Sequence, residues 1–191
     1  MLSETLLGIT VGIGLSAACG FRVFVPLLAM NLASLTGNLY LSSGFEWIGN
    51  YYATIAFGTA TVVEILAYYI PWLDHILDLI ASPAAIVAGT IATASMVMDI
   101  SPFLRWTLAI IAGGGVAAIV QGVTVTLRTK SSVLTAGAGN VLVSSVELAG
   151  SIITALLAMM VPMVCLVLIA LLCIFVIWKA GRFFFGRIKI K

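Results

Sequence analysis

Apolar segments of about 20 residues, enough to cross a ~30 Å hydrocarbon core, follow one another along almost the whole chain. In hydrocarbon every backbone N–H and C=O must find its partner within the structure, and α-helices achieve this inside one segment. The chain is therefore expected to be all-α, a polytopic membrane protein. Of its 191 residues 62% are hydrophobic and 8% charged, against about 25% charged in an average soluble domain. That deficit excludes an ordinary water-soluble globule. The length suits one transmembrane domain over residues 1–191, with a basic cytoplasmic tail at 179–191.

Glycine and proline divide the apolar sequence into about six spans. As one straight helix residues 5–35 would measure ~46 Å, so a break is expected between Gly20 and Pro26. Pro26 cannot donate a backbone bond and biases Val25 out of helical geometry. One helix should run to about Gly20, and a short one from near Pro26 to about Thr36. A polar loop follows at 38–46. The next span opens on the aromatic belt Trp47, Tyr51 and Tyr52, carries Glu64 and closes at Pro71. Leu73, Ile76, Leu77 and Ile80 recur at helical spacing around Asp74, His75 and Asp78. Residues 72–82 thus read as an interfacial amphipathic helix, followed by a short separate span at 83–98. Further spans are expected at 103–127, 140–160 and 163–180, with Pro162 dividing the last two. A second broken or re-entrant segment is expected between Gly137 and Asn140.

The basic residues orient these spans. Lys179, Arg182, Arg187, Lys189 and Lys191 cluster at the C-terminal end, beside Phe183, Phe184 and Phe185. This is an anchor against anionic headgroups rather than a nucleic-acid site. With both termini cytoplasmic, Arg128 and Lys130 join the cluster inside, and Arg105 alone lies outside. Gly8, Gly12, Ser16 and Gly20 form a small-residue stripe, and Ala109, Gly113, Ala117 and Gln121 form another. Each is followed by an arginine, Arg22 or Arg128, and then by a glutamate, Glu64 or Glu147. This pattern suggests a 3+3 inverted repeat, although small stripes also arise from close helix packing alone.

Ionisable groups at membrane depth are rare and usually face a bundle interior. Arg22, Glu64 and Glu147 are the deepest. Two arrangements suit them. In one, Arg22 closes on a glutamate as an internal ion pair that fixes helix register. In the other, they form a polar site at the midplane. Arg22 then offers a fork of donors matched to phosphate or carboxylate, and a half-helix starting at Pro26 aims its positive end the same way. A glutamate there can exchange a proton. Asn140 shares a helix face with Glu147, and Arg128 is a further partner. The candidate binding residues are thus Arg22, Glu64, Arg128, Asn140 and Glu147.

Asp74, His75 and Asp78 lack further ligands nearby, so no metal and no cofactor is expected. No nucleophile triad, phosphate-binding loop or dinucleotide fingerprint is readable, so the chain is not expected to be an enzyme. Cys19, Cys165 and Cys173 fit reduced packing residues. The run Ser16-Ala17-Ala18-Cys19 has the look of a lipoprotein cleavage box. Without a basic leader it is expected to stay in a retained helix.

The stretches at 16–28 (SAACGFRVFVPLL), 62–78 (VVEILAYYIPWLDHILD), 112–118 (AGGGVAA) and 135–147 (TAGAGNVLVSSVE) resemble the small bacterial integral membrane proteins of domain-of-unknown-function family 4126. The resemblance implies a compact multi-span protein and carries no established activity. Residues 22–26 alone are similar to the arginine–proline segment of the DedA family of lipid-carrier flippases, where re-entrant helices line a headgroup site.

The function expected from these features is transport in the bacterial inner membrane of an anionic small molecule or lipid headgroup, with proton coupling. Arg22 would bind the anion, Glu64 or Glu147 would exchange the proton, and Asn140 would line the cavity. The partners are then the lipid bilayer and that cargo, with no nucleic acid. Two alternatives stand beside this. One is an ion channel formed by a homo-oligomer, with the stripe Gly8, Gly12, Ser16 and Gly20 as its intersubunit seam. The other is a structural or assembly protein that transports nothing.

Overall fold

The computed structural model describes residues 2–70 and 73–186. They form seven helices: α1 (Leu2–Phe21), α2 (Phe24–Leu35), α3 (Tyr51–Tyr68), α4 (Leu73–Met96), α5 (Pro102–Thr135), α6 (Asn140–Met160) and α7 (Pro162–Gly186). The middle of α5, Ala109–Gly114, is π-helical, and a 3-10 turn at Glu46–Gly49 precedes α3. Among the described residues five helices are long and apolar enough to cross a membrane, namely α1, α4, α5, α6 and α7. The chain is a multi-pass helical membrane protein. Pro71, Trp72, Arg187, Lys189 and Lys191, and the side chains of Asp74, His75 and Phe183 to Phe185, lie outside the described residues.

The expected break in the first apolar stretch is present, at Arg22 and Val23, with α2 ending one residue before Thr36. Pro26 lies in the first turn of α2, where its missing N–H costs nothing. Gly20 has a different role. A Cβ there would fall 2.7 Å from the Ala117 carbonyl oxygen, so the glycine lets α1 press against α5. The expected division at Pro83 does not occur, and residues 72–82 are not a separate interfacial helix, because α4 runs unbroken through Pro83. Ala81, Ala85, Ala88 and Ala92 make one buried stripe on both sides of the proline. Ser82 Oγ donates back to the Asp78 carbonyl at 2.7 Å, one turn earlier on the same helix. The second expected break, near Gly137, is a plain turn between α5 and α6. It is made by Ala136 (φ 50°) and Gly137 (φ 90°).

Small residues build the centre. Gly8 lies directly against the Met96 carbonyl, and a Cβ on Gly12 would come 2.9 Å from Thr93 Cα. Ser16 Oγ donates to the Gly89 carbonyl and shares a 2.7 Å bond with Thr93 Oγ1. On the other side of α4, Gly113 abuts Thr93 and Gly89. The glycine stripe is therefore consumed inside the protein and is not an intersubunit seam. The contacts also give direction. α1 and α5 both run antiparallel to α4 and so parallel to each other, which removes the inverted relation between their stripes. Replacing Gly8 by leucine is expected to abolish the folded bundle. Gly58→Ala, with nothing within 4 Å, is expected to be neutral or to gain up to about 1 kcal/mol from helix propensity. Thermal unfolding in detergent checks both.

α2 turns back from α1 towards the end where α1 began. It is 12 residues long, about 18 Å, too short to span a membrane alone. Asn31 Nδ2 ties it to the Ile48 and Asn50 carbonyls at 2.6 and 3.0 Å. The following loop is pinned to the end of α4 by Ser42 N donating to Ser95 O at 2.7 Å. At the same end Glu4, Tyr40, Asp99 and Pro162 line one cavity. α7 starts there and, with 25 residues, rises about 37 Å to the other end. The helices alternate in direction and their number is odd. The described N- and C-terminal helices thus begin and finish at opposite ends, which corrects the expectation that both termini share one side.

Candidate functional site

Where α1 and α3 end, and α4 and α6 begin, the bundle buries a cluster of charge. Arg22 and Arg128 are 1% and 2% exposed. Both guanidiniums stack on the ring of Tyr68, each with Cζ 4.0 Å from its centroid. Both also converge on one atom, Glu147 Oε2. Arg22 Nη2 lies 3.5 Å from it, and Arg128 Nη2 bonds it directly. Arg22 Nη2 further donates to the Ser144 carbonyl at 3.0 Å. Arg128 Nη1 reaches Asp78 Oδ1 at 2.8 Å, which also accepts from Tyr68 Oη at 3.1 Å.

Glu64 stands beside this network with a separate task. Its Oε1 accepts from Val23 N at 2.8 Å and its Oε2 from Phe24 N at 3.1 Å. The amides of Val23, which caps α2, and of Phe24, its first residue, thus hold a carboxylate of the protein itself, where helix N-terminal charge favours an anion. The positive end of the half-helix is occupied by Glu64.

Of the sequence-derived residues, Arg22, Arg128 and Glu147 come together and Glu64 adjoins them. Asn140 does not. It lies two turns before Glu147 on α6, about 10 Å along the axis, where its Nδ2 donates to Ser132 Oγ at 2.7 Å across the α5–α6 turn. The cluster is also not at the midplane. α1 uses its full length before Arg22, and Arg128 is close in sequence to exposed Lys130, so the site lies towards the end carrying Lys130, Lys179 and Arg182.

Three participants escaped the sequence reading. Asp78 looked like one side of a surface helix, but its side chain is 14% exposed and paired with Arg128. Tyr68 was given no role, although it follows Glu64 by one helical turn and therefore shares its face. Ser144 similarly sits on the buried face of α6 with Asn140, Glu147 and Ser151.

The donors and acceptors do not balance. A guanidinium carries five N–H groups, and buried polar atoms are nearly always paired. Yet Arg22 Nε and Nη1, Arg128 Nε and Glu147 Oε1 have no hydrogen-bond partner among the described residues. The surplus is mainly of donors, and it surrounds the point where both arginines meet one carboxylate oxygen.

The protein is thus a helical membrane bundle closed around a buried two-arginine cluster. The chain belongs to the family described as "Domain of unknown function (DUF4126)", whose family model matches residues 9–182. No curated protein and no solved structure matches the chain, and the likeness of residues 22–26 to the DedA flippases is not borne out.

Proposed function

We propose that the protein is a transporter of the bacterial inner membrane and not an enzyme, and that Arg22 and Arg128 bind an anionic solute or the anionic headgroup of a lipid. One observation carries this reading: two buried guanidiniums share a single carboxylate oxygen while three of their nitrogens have no acceptor. Two forks around one point match a tetrahedral oxyanion better than one carboxylate. Glu147 is then a resident counter-ion. A proton taken up from water by Glu147 removes its charge and frees both arginines for the cargo, and loss of that proton returns the cluster to its closed form. Glu64 keeps the α1–α2 turn in place rather than exchanging the proton. Asn140, on the face of α6 that carries Glu147, lines the approach from the basic end. By the positive-inside rule that end faces the cytoplasm.

The test is flux in liposomes reconstituted with the whole protein, using inorganic phosphate and a fluorescent phosphatidylglycerol as separate probes. Arg22→Ala is expected to abolish movement of the transported probe while still inserting and remaining monodisperse. Glu147→Gln is expected to make the rate insensitive to a pH gradient. Normal flux through the Arg22→Ala protein overturns the reading. Wild-type vesicles that move neither probe also overturn it, in favour of a structural or assembly role.

A further inference from the structure

Two cavities of about 590 and 440 Å³ adjoin on the outer side of the bundle, sharing Val23, Phe24, Ile80 and Ala84 as walls. Together they form a groove along α4 from Leu77 to Ile91, about 21 Å at the helical rise. One leaflet contributes about half of a ~30 Å hydrocarbon core, so the groove is long enough for a lipid chain. Its rim residues Ile55, Val63, Ile80 and Val87 are more than half exposed. In a membrane that rim faces the bilayer, so the groove opens sideways between α3 and α4.

The groove is apolar along its length and changes character at one end, where Glu64 and Tyr68 form the wall. Glu64 is engaged by the α2 amides, so its charge is already compensated. Tyr68 is the side chain on which both arginines stack. It therefore touches both the groove and the two guanidiniums of Arg22 and Arg128. A path that is apolar for the length of a lipid chain and then meets two guanidiniums behind one aromatic ring matches an amphiphile with an acidic head. It does not match a free inorganic anion, which has nothing to place in the groove.

Building on the transport reading, we propose that this groove seats an acyl chain of an anionic glycerophospholipid, and that its phosphate reaches Arg22 and Arg128 when Tyr68 turns aside. The test uses the whole protein in phosphatidylcholine vesicles doped with phosphatidylglycerol bearing a photoactivatable diazirine chain. Label is expected to concentrate on α4 and on α3 near Ile55 and Val63, over the lipid-facing α7 surface at Leu171 and Ile174. It is expected to be lost in Ala84→Trp, which fills the groove. If that variant fails to insert, the distribution on the wild-type protein decides alone. Label spread evenly over α4 and α7, or an undiminished signal in an inserted Ala84→Trp, overturns the proposal.

Flux measured on the same vesicles separates the two readings. Phosphate flux that depends on Arg22, without groove label, overturns the lipid site and leaves transport standing. Groove label with no movement of either probe supports the lipid site and overturns transport.

Discussion

Replacing Arg128 with leucine is expected to destabilise the protein by about 3–5 kcal/mol, the usual result of removing one partner from a buried ion pair. Arg128 joins α4 to α6 through Asp78 and Glu147. Without it Glu147 retains only Arg22, at 3.5 Å, and Asp78 loses its guanidinium. For a chain of this size the loss corresponds to a fall in Tm of roughly 6–20 °C, readable by thermal unfolding in detergent. Adding Glu147→Leu is expected to recover part of it, because an apolar pair of similar volume often replaces a buried ion pair at little net cost. The two substitutions should be strongly non-additive. A double variant as unstable as the sum of the singles would show that the pair does not act as a unit.

The second large effect is expected at Glu64. Its carboxylate accepts from two consecutive backbone amides at the start of α2. Glu64→Ala leaves both amides buried without an acceptor, each a penalty of about 1–3 kcal/mol. The damage should be local, because the carboxylate holds the turn between α1 and α2. Amide exchange at Val23 and Phe24 is the direct readout, and it should accelerate in Glu64→Ala and less in Glu64→Gln, which keeps one carbonyl oxygen. Unchanged exchange in the alanine variant would refute the capping role.

Much of this arrangement is legible in the residue order. Apolar run length gives helices, and the cost of charge in hydrocarbon singles out Arg22, Glu64 and Glu147 as interior groups. Pro26 marks the α1–α2 break to within a few residues. The failures have physical causes. Pro83 reads as a boundary because proline disrupts an isolated helix. The alanines packed on either side of it supply what the local sequence lacks. A glycine stripe states only that something approaches closely, so packing inside one chain and packing between copies are written alike. Asp78 is misplaced because its neighbours on α4 are amphipathic, and its partner Arg128 lies 50 residues away. The number of passes is hardest to read. α2 is too short to span a membrane alone, yet it reverses the chain once.

The arginine that ends α1 has a consequence for the order of assembly. Ser144, whose carbonyl it binds, lies 122 residues further along the chain, and Glu147 lies beyond that. During synthesis α1 and α2 enter the bilayer long before α6 exists, and the Arg22 guanidinium waits without either partner. Until then the guanidinium is best accommodated near the headgroups, with α1 shifted along its axis. The arrival of α6 draws Arg22 inward and gives both arginines their shared carboxylate. The last element of the cluster to be made is thus the one that locks the first helix at its final depth.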